Sequence, residues 1–234
     1  MTDQADRLRE YMEEYDKKKR DEKHGIRVIS VSSGKGGVGK TNFSVNLAIS
    51  LKEKGFNVTV FDADLGLANV DVLTGLVPKY TLYDVLYNHK NIEDVIMEGP
   101  GGIQIIPGGS GIERLLNLND IQTRFLSERF QKLRDMDIMI IDTGAGISKN
   151  VMGFMAISDE NIVVTTPEPT SITDAYGLIK VSNKYTKDRG MHLVINKAKN
   201  EKEAYVAYQR LERAANIFLK RDIDYLGYIP EDRN

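Results

Sequence analysis

Residues 34–41, GKGGVGKT, follow the apolar run RVISVSS and open the stretch KTNFSVNLAISL. Two phosphate-binding patterns overlap in these eight residues. Gly34, Gly36 and Gly39 fit G-x-G-x-x-G, the dinucleotide fingerprint; Gly34 through Thr41 fit G-x-x-x-x-G-K-T, the mononucleotide P-loop. Asp62, 23 residues past Gly39 at the end of a second apolar run, sits near where a ribose-binding acid would fall. Lys40 and Thr41 decide for the P-loop. A dinucleotide fold has no use for an ammonium beside a hydroxyl in the first helical turn, whereas a P-loop needs both. Its glycines let backbone N–H groups converge on phosphates, Lys40 reaches the β/γ oxygens, and the Thr41 hydroxyl ligates Mg²⁺. The helix N-terminus adds roughly half a positive charge there. A P-loop also calls for an acid at the end of another apolar strand. DIMIIDTGAG supplies Asp142 about 100 residues on, with Gly144 placed next to the γ-phosphate position.

Outward from this loop, apolar strands alternate with helices. RVISVSS leads to a helix from about Thr41 to Lys54, stopped by Gly55. NVTVFDAD, DIMIIDTG, ENIVVTTP, MHLVINK and YLGYIP read as further strands, with IQIIPGG another candidate. Helical stretches are expected near 119–134, 170–187 and 201–219, and the segment from Ala68 to Gly111 is the most irregular. The strands are apolar without alternation, as expected when both faces are covered. The fold class is therefore α/β: a doubly wound, mostly parallel sheet with helices on both faces and a site at the strands' carboxyl ends. The domain organisation expected is a charged N-terminal tail or helix, 1–24, and one nucleotide-binding domain, 25–234.

Bulk properties narrow the function. With 234 residues and a net charge of −2, the chain has length for one substantial core and no dominating polyanion-binding surface. It has no cysteine, which removes disulfides and thiolate metal sites. The start, MTDQADRLREYMEEYDKKKRDEK, lacks the apolar region of a secretory signal, and no apolar run is long enough to span a membrane. A cytoplasmic protein is expected. In the tail, Leu8, Tyr11, Met12 and Tyr15 fall at helical spacing, readable either as part of a solvated tail or as a stripe that docks on a partner. His24, His89 and His192 are scattered and read as surface or core residues.

GKGGVGKT, with its early lysine, resembles the deviant Walker A box of the MinD/ParA ATPases, and the resemblance runs over residues 26–234. FDADLGLANVDVL resembles that family's switch I, IIDTGAGIS its Walker B and switch II, VINK its adenine-recognition strand, and GYIPED its second base-contacting loop. DTGAGIS and the tail DQADRLR resemble the flagellar-number regulators of the FlhG (YlxH, FleN) subgroup. The resemblance implies slow, dimer-dependent hydrolysis of ATP to ADP and phosphate, with ATP and Mg²⁺ as ligands. Residues Gly34, Lys35, Gly36, Gly37, Val38, Gly39, Lys40, Thr41 and Asn42 would cradle the phosphates. Lys35 would cross a homodimer to the partner's nucleotide, in the manner of an arginine finger; a solvated loop lysine is the plain alternative. Asp64 would orient the attacking water, or else cap the next helix. Asp62 and Asp142 would be outer-sphere Mg²⁺ acids. Asn196 would read the adenine edge unless it merely caps a loop; Lys197 would pack along the base, and Pro230 and Glu231 would close over it.

The partners the resemblance implies are a second copy and an SRP-type GTPase, FlhF, stimulated by Asp3, Gln4, Ala5, Leu8 and Arg9 of the tail. It also implies the membrane surface, through a C-terminal amphipathic helix expected beyond this chain, with peripheral association at the inner face of the cell membrane in the ATP state. Lys180, Lys184, Arg210 and Arg213 read as solvated helix surface or as a face for flagellar switch (C-ring) proteins. Rival readings are a division-site or partition ATPase of the MinD/ParA type; the neutral charge disfavours DNA binding. An iron–sulfur carrier is excluded by the missing cysteines.

Overall fold

The computed structural model describes residues 26–64, 75, 77–108 and 136–232. The tail at 1–24 and the stretch expected to be helical near 119–134 lie outside them. Strand β1 (Arg27–Ser33) runs into the glycine loop and helix α1 (Lys40–Glu53), then β2 (Val58–Ala63). A short helix α2 (Leu82–Tyr87) precedes β3 (Met97–Glu98) and β4 (Gln104–Ile106). Then come β5 (Ile138–Ala145), α3 (Lys149–Ile157), β6 (Glu160–Thr165), α4 (Pro169–Ser182), β7 (Gly190–Ala198), α5 (Glu201–Leu219) and β8 (Asp224–Pro230).

The strands form one eight-stranded sheet in the order β3-β4-β2-β5-β1-β6-β7-β8. Every pairing is parallel except β3 with β4. The chain leaves β1 toward β2 on one side and later fills the other side with β6 to β8. The carboxyl end of β1 is thus the topological switch point, where doubly wound sheets hold ligands.

The unbroken apolar strands are explained by two covered faces. On β5, Ile138 and Ile140 pack with Val45 and Ala48 of α1, while Met139 and Ile141 join Phe61, Leu82 and Phe154 on the opposite face. On β7, Val194 faces the α1 side, and Leu193 and Ile195 pack with Leu178 of α4 and Leu211 of α5. The edge strand β8 departs from this, with no buried residue and its last three all exposed.

Local signals set the helix ends. Gly55, at φ 94°, lets its N–H reach the Lys52 carbonyl while the Phe56 N–H reaches Leu51, the paired bonds of a Schellman stop. Asn200 caps α5 by accepting from the Glu203 N–H at 2.9 Å. Two elements escaped the periodicity. β3 is two residues long, and α3 buries Val151, Met152, Phe154 and Met155, so its apolar residues cover too much of the helix to show a polar face.

The strands' amino ends are stapled by charge. Glu160 on β6 contacts both Arg27 on β1 and His192 on β7, and His192 Nδ1 lies 3.4 Å from Asp224 Oδ2 on β8. Burial works against the Glu160 charge, but the hydrogen bonds from Arg27 and His192 outweigh it and hold the carboxyl below the usual glutamate range. A carboxyl whose pKa is lowered by folding stabilises fully above its unfolded value, about 4.3, and loses that contribution as pH falls through the folded value. Glu160→Gln is therefore expected to cost about 0.5–1 kcal/mol near neutral pH and to cost less at pH 3, measured by thermal melts across pH.

Candidate functional site

The carboxyl ends of β1, β2, β5 and β7 surround a cavity of about 1180 Å³. It is lined by Gly36 to Asn42, Asp64, Asn196, Lys197, Pro230 and Glu231, with Phe43 and Leu47 of α1 beyond them. Gly37 and Gly39 take φ of 77° and 88°, the left-handed region that glycine enters without strain. Gly39 ends the loop and starts α1, which has no side-chain cap and no acid in its first turn. Its N-terminal N–H groups and dipole therefore face the cavity without a carboxylate of the helix's own to answer them.

Beneath the loop lie the acids. Asp62 on β2 and Asp142 on β5 are directly paired in the parallel ladder, and both are buried, at 3% and 0% exposure. Lys40 Nζ stands 2.9 Å from Asp142 Oδ1, and the Ser44 hydroxyl donates to the same oxygen at 2.8 Å. Asp142 Oδ2 is fully buried with no hydrogen-bond partner. Asp62 Oδ1 accepts from the Asp64 N–H at 3.1 Å, fixing the strand end that carries Asp64 to the cavity wall. A Cβ built on Gly144 would come within 3.5 Å of Asp64 Oδ1, so Gly144 and Asp64 flank the same spot.

The two lysines of the loop diverge. Lys40 is buried against Asp142, with only 7% of its side chain exposed. Lys35 turns outward, 42% exposed, to Glu168 Oε2 at 3.0 Å and Thr170 Oγ1 at 3.4 Å, at the start of α4. The hydrogen bond and charge of Lys35 hold the exposed Glu168 carboxyl below its ordinary range. The β7 end closes the cavity. Asn196 donates from Nδ2 to the Val38 carbonyl at 2.7 Å and accepts the Lys197 N–H, while Lys197 Nζ donates to the Gly37 carbonyl at 2.9 Å. The Glu231 N–H reaches the Ala198 carbonyl at 3.0 Å, which brings Pro230 and Glu231 to the same rim.

The cavity thus gathers every expected site residue outside the tail except Gly34, Lys35, Asp62, Asp142 and Gly144, which stand under or beside it. Asp3, Gln4, Ala5, Leu8 and Arg9 lie outside the described residues. Two residues, Ser44 and Glu168, were missed by sequence reasoning altogether. Ser44 sits four residues after Lys40, on the same helical face, a spacing that could have revealed it. Glu168 lies 133 residues from Lys35 with no motif to join them. Among the described residues, no group of three or more His, Cys, Asp or Glu side chains is arranged to hold a metal by itself.

Fold and site together define a P-loop nucleotide-binding protein of the doubly wound class. Residues 26–195 match the AAA domain family (AAA_31). The chain is 43% identical over 215 residues to the antiactivator FleN of Pseudomonas aeruginosa, spanning 90% of this chain and 76% of FleN. It is 40% identical over 212 residues to the flagellum site-determining protein YlxH of Helicobacter pylori, spanning 89% of this chain and 71% of YlxH. Among solved structures, the cell division ATPase MinD of Pyrococcus furiosus superposes with a TM-score of 0.67 at 30% identity, over 88% of this chain and 84% of that one. MinD of Pyrococcus horikoshii, complexed with Mg-ADP, gives 0.68 at 30% identity, over 89% and 82%. The chain belongs to the MinD/ParA-type P-loop ATPases.

The loop glycines separate into two kinds. A Cβ on Gly34 would lie 2.2 Å from the Asp174 backbone of α4, whereas one on Gly36 meets nothing within 4 Å. Gly34→Ala is expected to lose about 1–3 kcal/mol of stability through overpacking, and Gly36→Ala to melt as wild type. Denaturant titration of both variants measures the difference.

Proposed function

We propose that this chain is an ATP-dependent dimerising switch that regulates flagellar number and placement. The observation that carries the reading is the division of labour between the two loop lysines. Lys40 serves its own site, while Lys35 presents an ammonium at the surface of the same loop, where a second copy could be reached. FleN and YlxH, the relatives at 43% and 40% identity, support the flagellar branch over the division-site MinD proteins at 30%.

In this reading the N–H groups of Gly36 to Lys40 bind the phosphates and Lys40 trades Asp142 for the β/γ oxygens. The Thr41 hydroxyl and the acids Asp62 and Asp142 would hold Mg²⁺. The residues fit that ion: two buried neighbouring carboxylates, one with an unpartnered oxygen, are a poor arrangement without a cation and a good one beside it. Mg²⁺ supplies neutralisation of phosphate charge. Asp64, on the cavity wall beside Gly144, orients the attacking water, and Lys35 from the partner stabilises charge on the transferred phosphoryl group. Asn196, Lys197, Pro230 and Glu231 hold the base.

The partners follow from the resemblance. The tail at 1–24 acts as an activating element for the SRP-type GTPase FlhF through Gln4 and Leu8. Lys180, Lys184, Arg210 and Arg213 are all exposed on or beside α4 and α5 and suit a face for switch-complex proteins. The ATP form associates peripherally with the inner face of the cell membrane; no described helix is long and apolar enough to cross one.

Asp64→Ala is expected to bind ATP, hydrolyse it at least tenfold more slowly and accumulate as a dimer in light scattering; a monomer under saturating Mg-ATP would count against the mechanism. Addition of a peptide of residues 1–24 is expected to raise GTP turnover by FlhF, and changing Gln4 and Leu8 to alanine to abolish the rise. No stimulation would withdraw the partner assignment and leave the ATPase.

A further inference from the structure

We infer that Lys197, with Asn196, is a positioning residue of the phosphate loop, so that the strand assigned to the base also sets the shape of the phosphate cradle. The inference rests on the nucleotide-site reading above and deepens it. Lys197 Nζ donates to the Gly37 carbonyl at 2.9 Å, and Asn196 Nδ2 to the Val38 carbonyl at 2.7 Å. These are consecutive peptide units of the glycine loop, both pinned from the β7 side.

A trans peptide is planar, with its C=O and N–H pointing in opposite directions. Holding the Gly37 carbonyl toward Lys197 aims the Val38 N–H the other way, and holding the Val38 carbonyl toward Asn196 does the same for the Gly39 N–H. Among the described residues, neither N–H is taken by another hydrogen bond. Gly37 and Gly39 have positive φ and little intrinsic resistance to a peptide flip, so an outside restraint has something to decide. The restraint is built closely: a Cβ on Gly39 would fall 2.3 Å from Asn196 Nδ2. Asn196 is itself oriented, because its Oδ1 accepts the Lys197 N–H at 2.9 Å.

Lys197 is also held in a costly conformation. Its φ is 57°, in the left-handed region, where an unbranched cationic side chain has no local reason to sit. The strained backbone places the side chain so that its ammonium meets the loop. A base contact needs neither carbonyl bond, and a solvated lysine needs no strain.

The test separates cradle from base by using a ligand that has no base. Lys197→Met, Lys197→Gly and Asn196→Ala are compared with wild type, in the full chain, for binding of Mg-tripolyphosphate and Mg-ATP by calorimetry. The expected result is that each variant weakens both ligands equally, about tenfold for the Lys197 variants, which lose a charge-assisted hydrogen bond, and about fivefold for Asn196→Ala, which loses a neutral one. The wild-type-to-variant ratio should persist at 1 M salt, where the Debye length is about 3 Å and a mere through-space charge effect is screened. Lys197→Gly should melt no lower than wild type, because glycine accepts the positive φ without strain. Lys197 is exposed, so its variants report even if Asn196→Ala fails to fold. Weaker ATP binding with unchanged tripolyphosphate binding would overturn the inference in favour of a base contact. Unchanged binding of both, or a ratio that collapses to one at high salt, would overturn it too. A wild-type protein that binds neither ligand would overturn the nucleotide-site reading itself, and the brace with it.

Discussion

Two carboxylates buried side by side set the terms for the rest of this molecule. Asp62 and Asp142 lie opposite each other near the carboxyl ends of adjacent strands in the middle of the sheet, and the ladder leaves them no freedom to separate. Buried charge is tolerated only when it is answered, and Lys40 answers Asp142 from the first turn of α1. That contact ties the helix start to the sheet and, through Gly39, fixes where the glycine loop must turn. In the proposed nucleotide reading it is also exchangeable. An ammonium that leaves a carboxylate for a phosphate oxygen trades one anion for another, while the Ser44 hydroxyl stays on Asp142 Oδ1.

Burial decides what each loop lysine can do. Lys40 works where water is excluded, so its charge is strong, local and already engaged. Lys35, five residues earlier in the same turn, remains in water with Glu168 and Thr170, where such a pair is worth little and is easily given up. A weakly held cation at the surface is the right kind to be lent to another molecule. The glycines make this divergence possible, since positive φ at Gly37 and Gly39 turns the chain sharply between the two lysines.

The two ends of the sheet use charge differently. At the strands' amino ends, Arg27, Glu160, His192 and Asp224 come from four neighbouring strands and are spent on one another. At the carboxyl ends, polar groups are arranged around a cavity, and one buried oxygen of Asp142 is left without a hydrogen bond. The ion pairs at the amino ends hold neighbouring strands together; at the carboxyl ends the unpartnered carboxylate oxygen is where a ligand gains from arriving. The bonds from β7 to the loop carbonyls join two walls of that cavity.

The eight residues from Gly34 to Thr41 were enough to read a P-loop, because glycine, lysine and hydroxyl at those spacings encode backbone geometry and chemistry locally. The parallel sheet was legible for a similar reason: unbroken β-branched runs mean two covered faces, and Gly55 marks a helix stop by its own conformational freedom. The elements that stayed hidden were those whose pattern is short or uniform, β3 and α3; β8 was read as a strand, but its exposure as an edge was not. The pairings that define the site were also hidden: Lys35 with Glu168, Asn196 and Lys197 with the loop carbonyls. Their partners stand 133 to 160 residues apart. Sequence determines local conformation and the kind of chemistry available, since both depend on near neighbours. Which distant groups meet, and so which lysine is buried and which stays at the surface, is decided only when helices and strands pack.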